Sequence, residues 1–72
     1  MFDEVKEIIL RYTEEENITE DSSLTEDLKL TSLDVVSMVG EFEDAFDIEI
    51  ADEDIPEMTT VKDIIKYIEA RK

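Results

Sequence analysis

The 72-residue chain contains no cysteine and no histidine. It therefore cannot form a disulfide framework, a thiolate or imidazole zinc site, or the Ser-His and Cys-His pairs that activate nucleophiles. No apolar run is long enough to span a bilayer, and no signal peptide is visible. These absences predict a cytoplasmic protein without membrane insertion. They leave only carboxylates, hydroxyls and lysines for any catalysis.

The charge is strongly unbalanced, with 22 acidic and 7 basic residues and a net charge of −15. Such a polyanion repels nucleic acid, and like charge on its copies favours a monomer. Residues 30–61 contain no lysine or arginine, so this middle stretch is expected to attract basic protein surfaces. Its acidic residues are Asp34, Glu41, Glu43, Asp44, Asp47, Glu49, Asp52, Glu53, Asp54 and Glu57.

Apolar spacing predicts an all-α fold in one small domain over residues 1–72. A first helix is expected over 2–15, followed by a long connection over 17–30 that Ile18, Leu24, Leu28 and Leu30 pin to the core. A second helix is expected from 31–32 to 46, beginning at a capping box. Its core face consists of Val35, Val39, Phe42 and Phe46, with Val36 and Met38 at the margins.

The rest of the chain predicts one short helix and one longer helix. Residues 47–50 alternate polar and apolar side chains but have no partner strand, so they are interpreted as an extended connection. A short helical turn is expected over 52–57, ending because Pro56 is difficult to continue through. The last helix begins where Thr60 and Asp63 have capping-box spacing. The prediction is a small four-helix bundle with three main helices and one short helix.

Ser32 is the candidate functional residue. It lies just inside the start of the second helix, where unpaired backbone amides and the helix dipole favour an attached or bound phosphate. The alternative is a serine that serves only as a helix cap or stands beside the Thr31 cap. Gly40 also interrupts this helix, which indicates either close packing or a tolerated surface glycine.

Residues 27–36 read DLKLTSLDVV, which resembles the attachment site of acyl carrier proteins, usually Asp-Leu-Gly-x-Asp-Ser-Leu-Asp before an apolar helix. The likeness continues in order through residues 41–50, 52–54, 58–61 and 64–68, and so covers nearly the whole chain. Three positions depart from the family pattern. Thr31 stands in place of aspartate, Lys29 in place of glycine, and Ser37 where a glutamate is common.

The resemblance implies that Ser32 receives 4'-phosphopantetheine from coenzyme A through a carrier-protein synthase, a phosphopantetheinyl transferase. The protein would then be a carrier and not an enzyme, with no catalytic residues and no metal site. It would deliver acyl thioesters to fatty-acid or related biosynthetic enzymes that have basic docking patches. The docking residues implied by position are Leu33, Asp34, Val36, Glu43, Asp44 and Glu49, with residues 52–54 as weaker candidates.

Other interpretations stay open. Diffuse binding of divalent cations is one, although residues 52–54 do not fit an EF-hand loop. A second is an unmodified acidic interaction module that uses only its charged face. A third is a specialised carrier of amino-acyl, peptidyl or polyketide intermediates. A hydrolase built on paired carboxylates is the least favoured, because no pattern indicates a cleft.

Overall fold

The structure is a computed structural model that describes residues 1–71. It contains α1 (Phe2–Ile9), α2 (Ser32–Phe46), a 3-10 helix (Asp52–Glu57), here called the short helix, and α3 (Val61–Arg71). No strand occurs among residues 1–71 beyond one isolated antiparallel bridge between Ser23 and Thr60. The predicted four-helix architecture, with three main helices and one short helix, is confirmed.

The first helix is shorter than predicted, since α1 ends at Ile9 and not near residue 15. Beyond it the chain tightens into turns in which the Arg11 and Tyr12 amides donate to the carbonyls three residues earlier. Thr13 then donates its hydroxyl to the Leu28 carbonyl at 2.8 Å, which draws the chain into the connection. The apolar spacing continued past the helix because Tyr12 still packs against the core from a turn.

The long connection is pinned to the core as predicted, because Ile18, Leu24, Leu28 and Leu30 are all buried. The sequence did not indicate that this connection also pairs with the segment that enters α3. The Leu24 amide donates to the Thr59 carbonyl at 2.9 Å, and the Val61 amide donates to the Ser22 carbonyl at 3.2 Å. These bonds hold the long connection against the segment that enters α3.

The interior face of α2 largely follows the prediction. Its buried side chains are Val35, Met38, Val39, Phe42 and Phe46. Met38 is fully buried and belongs to the core face, whereas Val36 points outward. The helix ends at Phe46, and the cap residue Asp47 adopts the left-handed conformation with φ 54° and donates its amide to the Glu43 carbonyl. Residues 47–50 form no strand, as predicted.

The short helix includes Pro56 and ends at Glu57, so the proline lies inside it and does not close it. A proline is tolerated there because so short a helix requires few amide donors. The predicted capping box of α3 is present: Thr60 Oγ1 accepts from the Asp63 amide, and Asp63 accepts from the Thr60 amide, both at 3.2 Å. Val61, Ile64, Ile65 and Ile68 complete the core.

Gly40 faces open space, because a Cβ built there would meet no heavy atom within 4 Å. The tolerated surface glycine is therefore the interpretation that the structure supports. Within residues 1–71 no helix has the length and apolar character needed to cross a membrane.

Candidate functional site

The residues that precede α2 place Ser32 as its first helical residue. Leu30 is buried and donates its amide to the Leu24 carbonyl at 2.9 Å, so the end of the connection is anchored. Lys29 adopts the left-handed conformation with φ 56°, a region that favours glycine. The conformation gives a physical reason for the glycine that the resemblance associates with this position. Thr31 is extended, and the helix starts immediately after it.

Thr31 and Asp34 form the predicted capping box. The Thr31 hydroxyl accepts the Asp34 amide at 3.1 Å, and the Asp34 carboxylate accepts the Thr31 amide at 3.0 Å. Because Thr31 performs the capping, the Ser32 side chain is exposed and makes no hydrogen bond within residues 1–71. The alternative in which Ser32 itself caps the helix is wrong. Its hydroxyl is available to a second molecule at the positive end of the α2 dipole.

A groove of about 580 Å³ opens beside Ser32. Val35 and Val36 line it on the α2 side, and Ile55 and Pro56 line it on the side of the short helix. An exposed hydroxyl at a helix start, next to a largely apolar groove, fits a phosphate-linked arm that carries an apolar cargo. The remaining lining residues are Leu24, Thr25, Asp52, Met58 and Thr59.

The two apolar residues predicted for docking are exposed on the outer face of α2. Leu33 keeps 79% of its surface exposed and Val36 keeps 54%. Large apolar side chains left in water on one helix face are typical of a surface that another protein covers. Both lie within one turn of Ser32, so a partner that contacts them would also reach the serine hydroxyl.

The four predicted docking carboxylates are placed in two different ways. Asp44 and Glu49 are exposed and have no hydrogen bond or ion pair within residues 1–71. Asp34 is engaged in the capping box, and Glu43 accepts the Ile50 amide at 2.9 Å, which holds the connection after α2. Asp44 and Glu49 are therefore free to meet a basic surface, whereas Asp34 and Glu43 also have bonds of their own.

Glu41 has two partners that the sequence did not indicate. Its carboxylate accepts hydrogen bonds from Arg11 and from the Tyr12 hydroxyl, which join the turns after α1 to α2. These three residues form the Glu41 cluster. The hydrogen bond from Tyr12, followed by that from Arg11, lowers the pKa of Glu41, and the same contact raises the pKa of Tyr12. Partners about thirty residues apart leave no local signal in the sequence.

A second cluster of the same composition joins the short helix to α3. Tyr67 donates its hydroxyl to the Asp54 carboxylate at 2.6 Å and accepts from Arg71 at 2.7 Å. Arg71 also pairs with Asp54 at 3.6 Å, and its guanidinium lies 4.3 Å from the centre of the Tyr67 ring. These three residues form the Asp54 cluster. The weaker docking candidate Asp54 is thus held by an internal contact.

Despite the high acidity, the part of the chain that the structure describes holds no group of three carboxylates close enough to share a metal ion. Two other acidic side chains are also committed to internal contacts, because Asp27 accepts the Ser23 amide at 2.7 Å and Asp63 accepts the Thr59 hydroxyl at 2.9 Å. Burial alone would raise the pKa of Asp63, but hydrogen bonds from Thr59 and Thr60 outweigh it and lower that pKa.

Comparison with known proteins finds similarity along nearly the whole chain. The family described as phosphopantetheine attachment site matches residues 3–68. An acyl carrier protein of Wolinella succinogenes is 40% identical over 74 residues, covering 100% of this chain and 97% of that protein.

Two solved structures have the same fold. A candidate acyl carrier protein of Mycobacterium tuberculosis matches with a TM-score of 0.89 and 28% identity, covering 96% of this chain and 95% of that chain. The acyl carrier protein of Enterococcus faecalis matches with a TM-score of 0.85 and 32% identity, covering 99% of this chain and 92% of that chain.

Proposed function

Because the chain belongs to the acyl carrier protein family, we propose that Ser32 is the residue that bears its prosthetic group and that residues 1–72 act as one carrier domain. The prosthetic group is covalently attached 4'-phosphopantetheine. The observation that carries the assignment is the free, exposed Ser32 hydroxyl at the start of α2, since the neighbouring Thr31 and Asp34 side chains are paired with each other.

The attachment step needs coenzyme A and a separate phosphopantetheinyl transferase. The Ser32 oxygen bonds to the phosphorus that carries the pantetheine arm, and the pyrophosphate bond of coenzyme A breaks. The nucleotide bisphosphate leaves, and the hydroxyl proton passes to a base of the transferase. The orphan amides at the start of α2 favour the new phosphate. The arm supplies the thiol that this cysteine-free chain lacks.

The carrier delivers acyl thioesters to enzymes of fatty-acid or related synthesis. Leu33 and Val36 supply apolar contacts near the arm, and Asp44 and Glu49 supply unpaired charge for basic docking patches. Asp34 and Glu43 add to the negative field while keeping their internal bonds. The tether raises the local concentration of cargo at each docked enzyme, so brief contacts are sufficient. We also propose that the protein works as a cytoplasmic monomer.

A specialised carrier of polyketide or peptidyl intermediates is the second candidate. The residues beside Ser32 favour it, because Thr31 replaces the usual acidic residue and Lys29 adds a positive charge. Both changes make the attachment point less negative, which alters which transferase recognises it. The overall charge of −15 favours the fatty-acid type. Comparing modification by transferases from the two kinds of pathway separates the candidates.

The direct test is intact mass after incubation with coenzyme A and a broad-specificity phosphopantetheinyl transferase. We expect the parent protein to gain one phosphopantetheinyl group and Ser32→Ala to gain none. Ser37→Ala is the matched control, because Ser37 is also exposed on α2 and its loss should leave modification unchanged. Folded parent protein that gains no mass would instead support an unmodified acidic interaction module, and a gain on Ser32→Ala would move the site elsewhere.

A further inference from the structure

Gly40 lies in the interior of α2, where glycine is a poor helix former and where the fold gives no reason for it. A Cβ built at Gly40 would meet no heavy atom within 4 Å beyond the adjoining backbone of its own helix. The backbone gives no reason for it either, because Gly40 does not have a positive φ. Within the chain Gly40 is a surface glycine, and the room beside it is open to a second molecule.

The neighbours of Gly40 on the surface are the exposed side chains of the outer face of α2. Successive residues of a helix are about 100° apart, so Leu33, Val36 and Asp44 all point within about 40° of the direction of the glycine. Leu33 and Val36 keep 79% and 54% of their surface exposed. Asp44 is exposed and makes no hydrogen bond or ion pair within residues 1–71. We call the gap between Val36 and Asp44 the Gly40 notch.

The chemistry around the Gly40 notch indicates what fits into it. Amides and carbonyls in the middle of a helix are bonded to one another, so the floor of the notch offers few polar groups to a partner. With the exposed Val36 side chain on one side, a bulky apolar side chain fits there better than a polar one. The Asp44 carboxylate favours a cation, and residues 30–61 contain no lysine or arginine to supply one. The matching surface therefore carries a bulky apolar side chain beside a basic one.

We propose that the Gly40 notch receives a bulky apolar side chain of the phosphopantetheinyl transferase that modifies Ser32, and that Asp44 pairs with a basic side chain of the same patch. The proposal rests on the carrier function and adds a residue that decides which transferase fits. Ser32 precedes Gly40 by about 12 Å along the helix axis, so a protein seated on the notch also reaches the hydroxyl. A glycine lets the partner approach the helix more closely than any larger residue would.

The kinetics of attachment test the proposal, with the transferase of the organism that makes this chain as the probe. Gly40→Ala is expected to raise KM for the carrier about threefold and Gly40→Leu about tenfold, because the new side chains fill the notch. The kcat of both should stay close to that of the parent, since the chemistry at Ser32 is untouched. A KM of Gly40→Leu equal to or below that of the parent would overturn the proposal.

Ala45→Leu is the matched control for added bulk. Ala45 is also exposed on α2, but it points about 140° away from Gly40 around the helix axis. This variant should therefore keep the KM of the parent. A loss of folding does not mimic the expected result, because Gly40→Ala should unfold at a higher temperature than the parent while it docks more weakly. An increase in KM for Ala45→Leu as large as that for Gly40→Leu would contradict the special role of the notch.

Added salt separates the two parts of the contact. Asp44→Asn should raise KM severalfold at low ionic strength, and this effect should fade as salt screens the charge. The effect of Gly40→Leu should persist at high ionic strength, because it is steric. An effect of Asp44→Asn that salt leaves unchanged would overturn the pairing with a basic side chain.

Shortened side chains on the transferase identify the apolar partner. The exposed apolar residues of its docking patch are replaced by alanine one at a time, and one replacement should return the KM of Gly40→Leu toward that of the parent. Failure of every replacement would overturn the apolar contact. A parent chain that neither this transferase nor the broad-specificity one modifies would refute the carrier function. A parent that is modified normally, with the Gly40 variants unaffected, would refute the Gly40 proposal alone.

Discussion

The Glu41 cluster and the Asp54 cluster have the same composition, one arginine, one tyrosine and one carboxylate, but they act on elements of very different strength. The Glu41 cluster contacts α2, which already buries five side chains. The Asp54 cluster contacts the short helix, which buries none. Exposed polar contacts contribute little to the stability of an element that apolar burial already holds. Their share is larger where the buried surface is small. We therefore expect the same chemistry to add little to the stability of α2 and more to that of the short helix.

The largest effect should come from truncating apolar side chains in the two elements. Phe42→Ala in α2 removes a ring with no exposed surface, and we expect a loss of about 3 to 5 kcal/mol in the free energy of unfolding. Ile55→Ala in the short helix should cost less than about 1.5 kcal/mol, because Ile55 is only partly buried. Urea unfolding of both variants measures the difference.

A loss of that size approaches the whole stability of a small domain, so Phe42→Ala can leave too little folded protein to measure. Phe42→Leu then provides a milder replacement in the same position, with an expected loss below about 1.5 kcal/mol. The contrast between the two elements would be wrong if Ile55→Ala destabilised the protein as much as Phe42→Ala.

The second effect concerns the outer face of α2. Gly40→Ala should raise the free energy of unfolding by about 1 kcal/mol, because alanine is the better helix former and the new Cβ enters open space. Ala45→Gly is the matched control, since it makes the reverse exchange at an exposed position of α2 and should lower stability by a similar amount. Thermal unfolding compares the two. A destabilising Gly40→Ala would mean that the backbone at this position is required as glycine.

The smallest effect should be the acid dependence of the Glu41 cluster. Because its contacts lower the pKa of Glu41 below the ordinary value of 4.5, its contribution to stability is present above that value and is lost as the pH falls through the folded pKa. Glu41→Gln should therefore be less stable than the parent at neutral pH, and the difference should shrink in acid. Urea midpoints across this pH range measure it.

Asp44→Asn controls for the loss of one negative charge from α2, because the Asp44 carboxylate makes no hydrogen bond or ion pair within residues 1–71. The difference in free energy of unfolding between Asp44→Asn and the parent should not shrink in acid as that of Glu41→Gln does. If Glu41→Gln kept a constant difference from the parent at every pH, the internal contacts of Glu41 would not contribute to stability through its charge.

Much of the fold could be predicted because its determinants are local. The capping boxes at Thr31 and Thr60 lie within four residues of chain, and the apolar spacing of α2 and α3 repeats along a single helix. The end of α1 could not be predicted in this way. Its apolar spacing runs past Ile9 to Tyr12, and only the structure shows that the backbone changes there to turns in which the Arg11 and Tyr12 amides donate to carbonyls three residues earlier.

The candidate site likewise has features that local sequence predicts and features that depend on distant residues. Ser32 could be singled out from its place at a helix start, and the family resemblance added Leu33 and Val36. All three lie close together because they belong to the first turns of one helix. Which carboxylates are free to bind a partner protein could not be predicted from the sequence. Whether Glu43 is free depends on the Ile50 amide, and whether Asp54 is free depends on a tyrosine in another helix.

The sequence by itself determined the helices apart from the end of α1, the capped start of α2 and the serine at that start, because each depends on side chains a few residues apart. Only the tertiary structure decided which acidic groups meet a partner, which elements line the groove beside Ser32, and that two Arg-Tyr-carboxylate clusters exist at all. Those features need groups from distant parts of the chain, and the packing of the core brings such groups within hydrogen-bond distance.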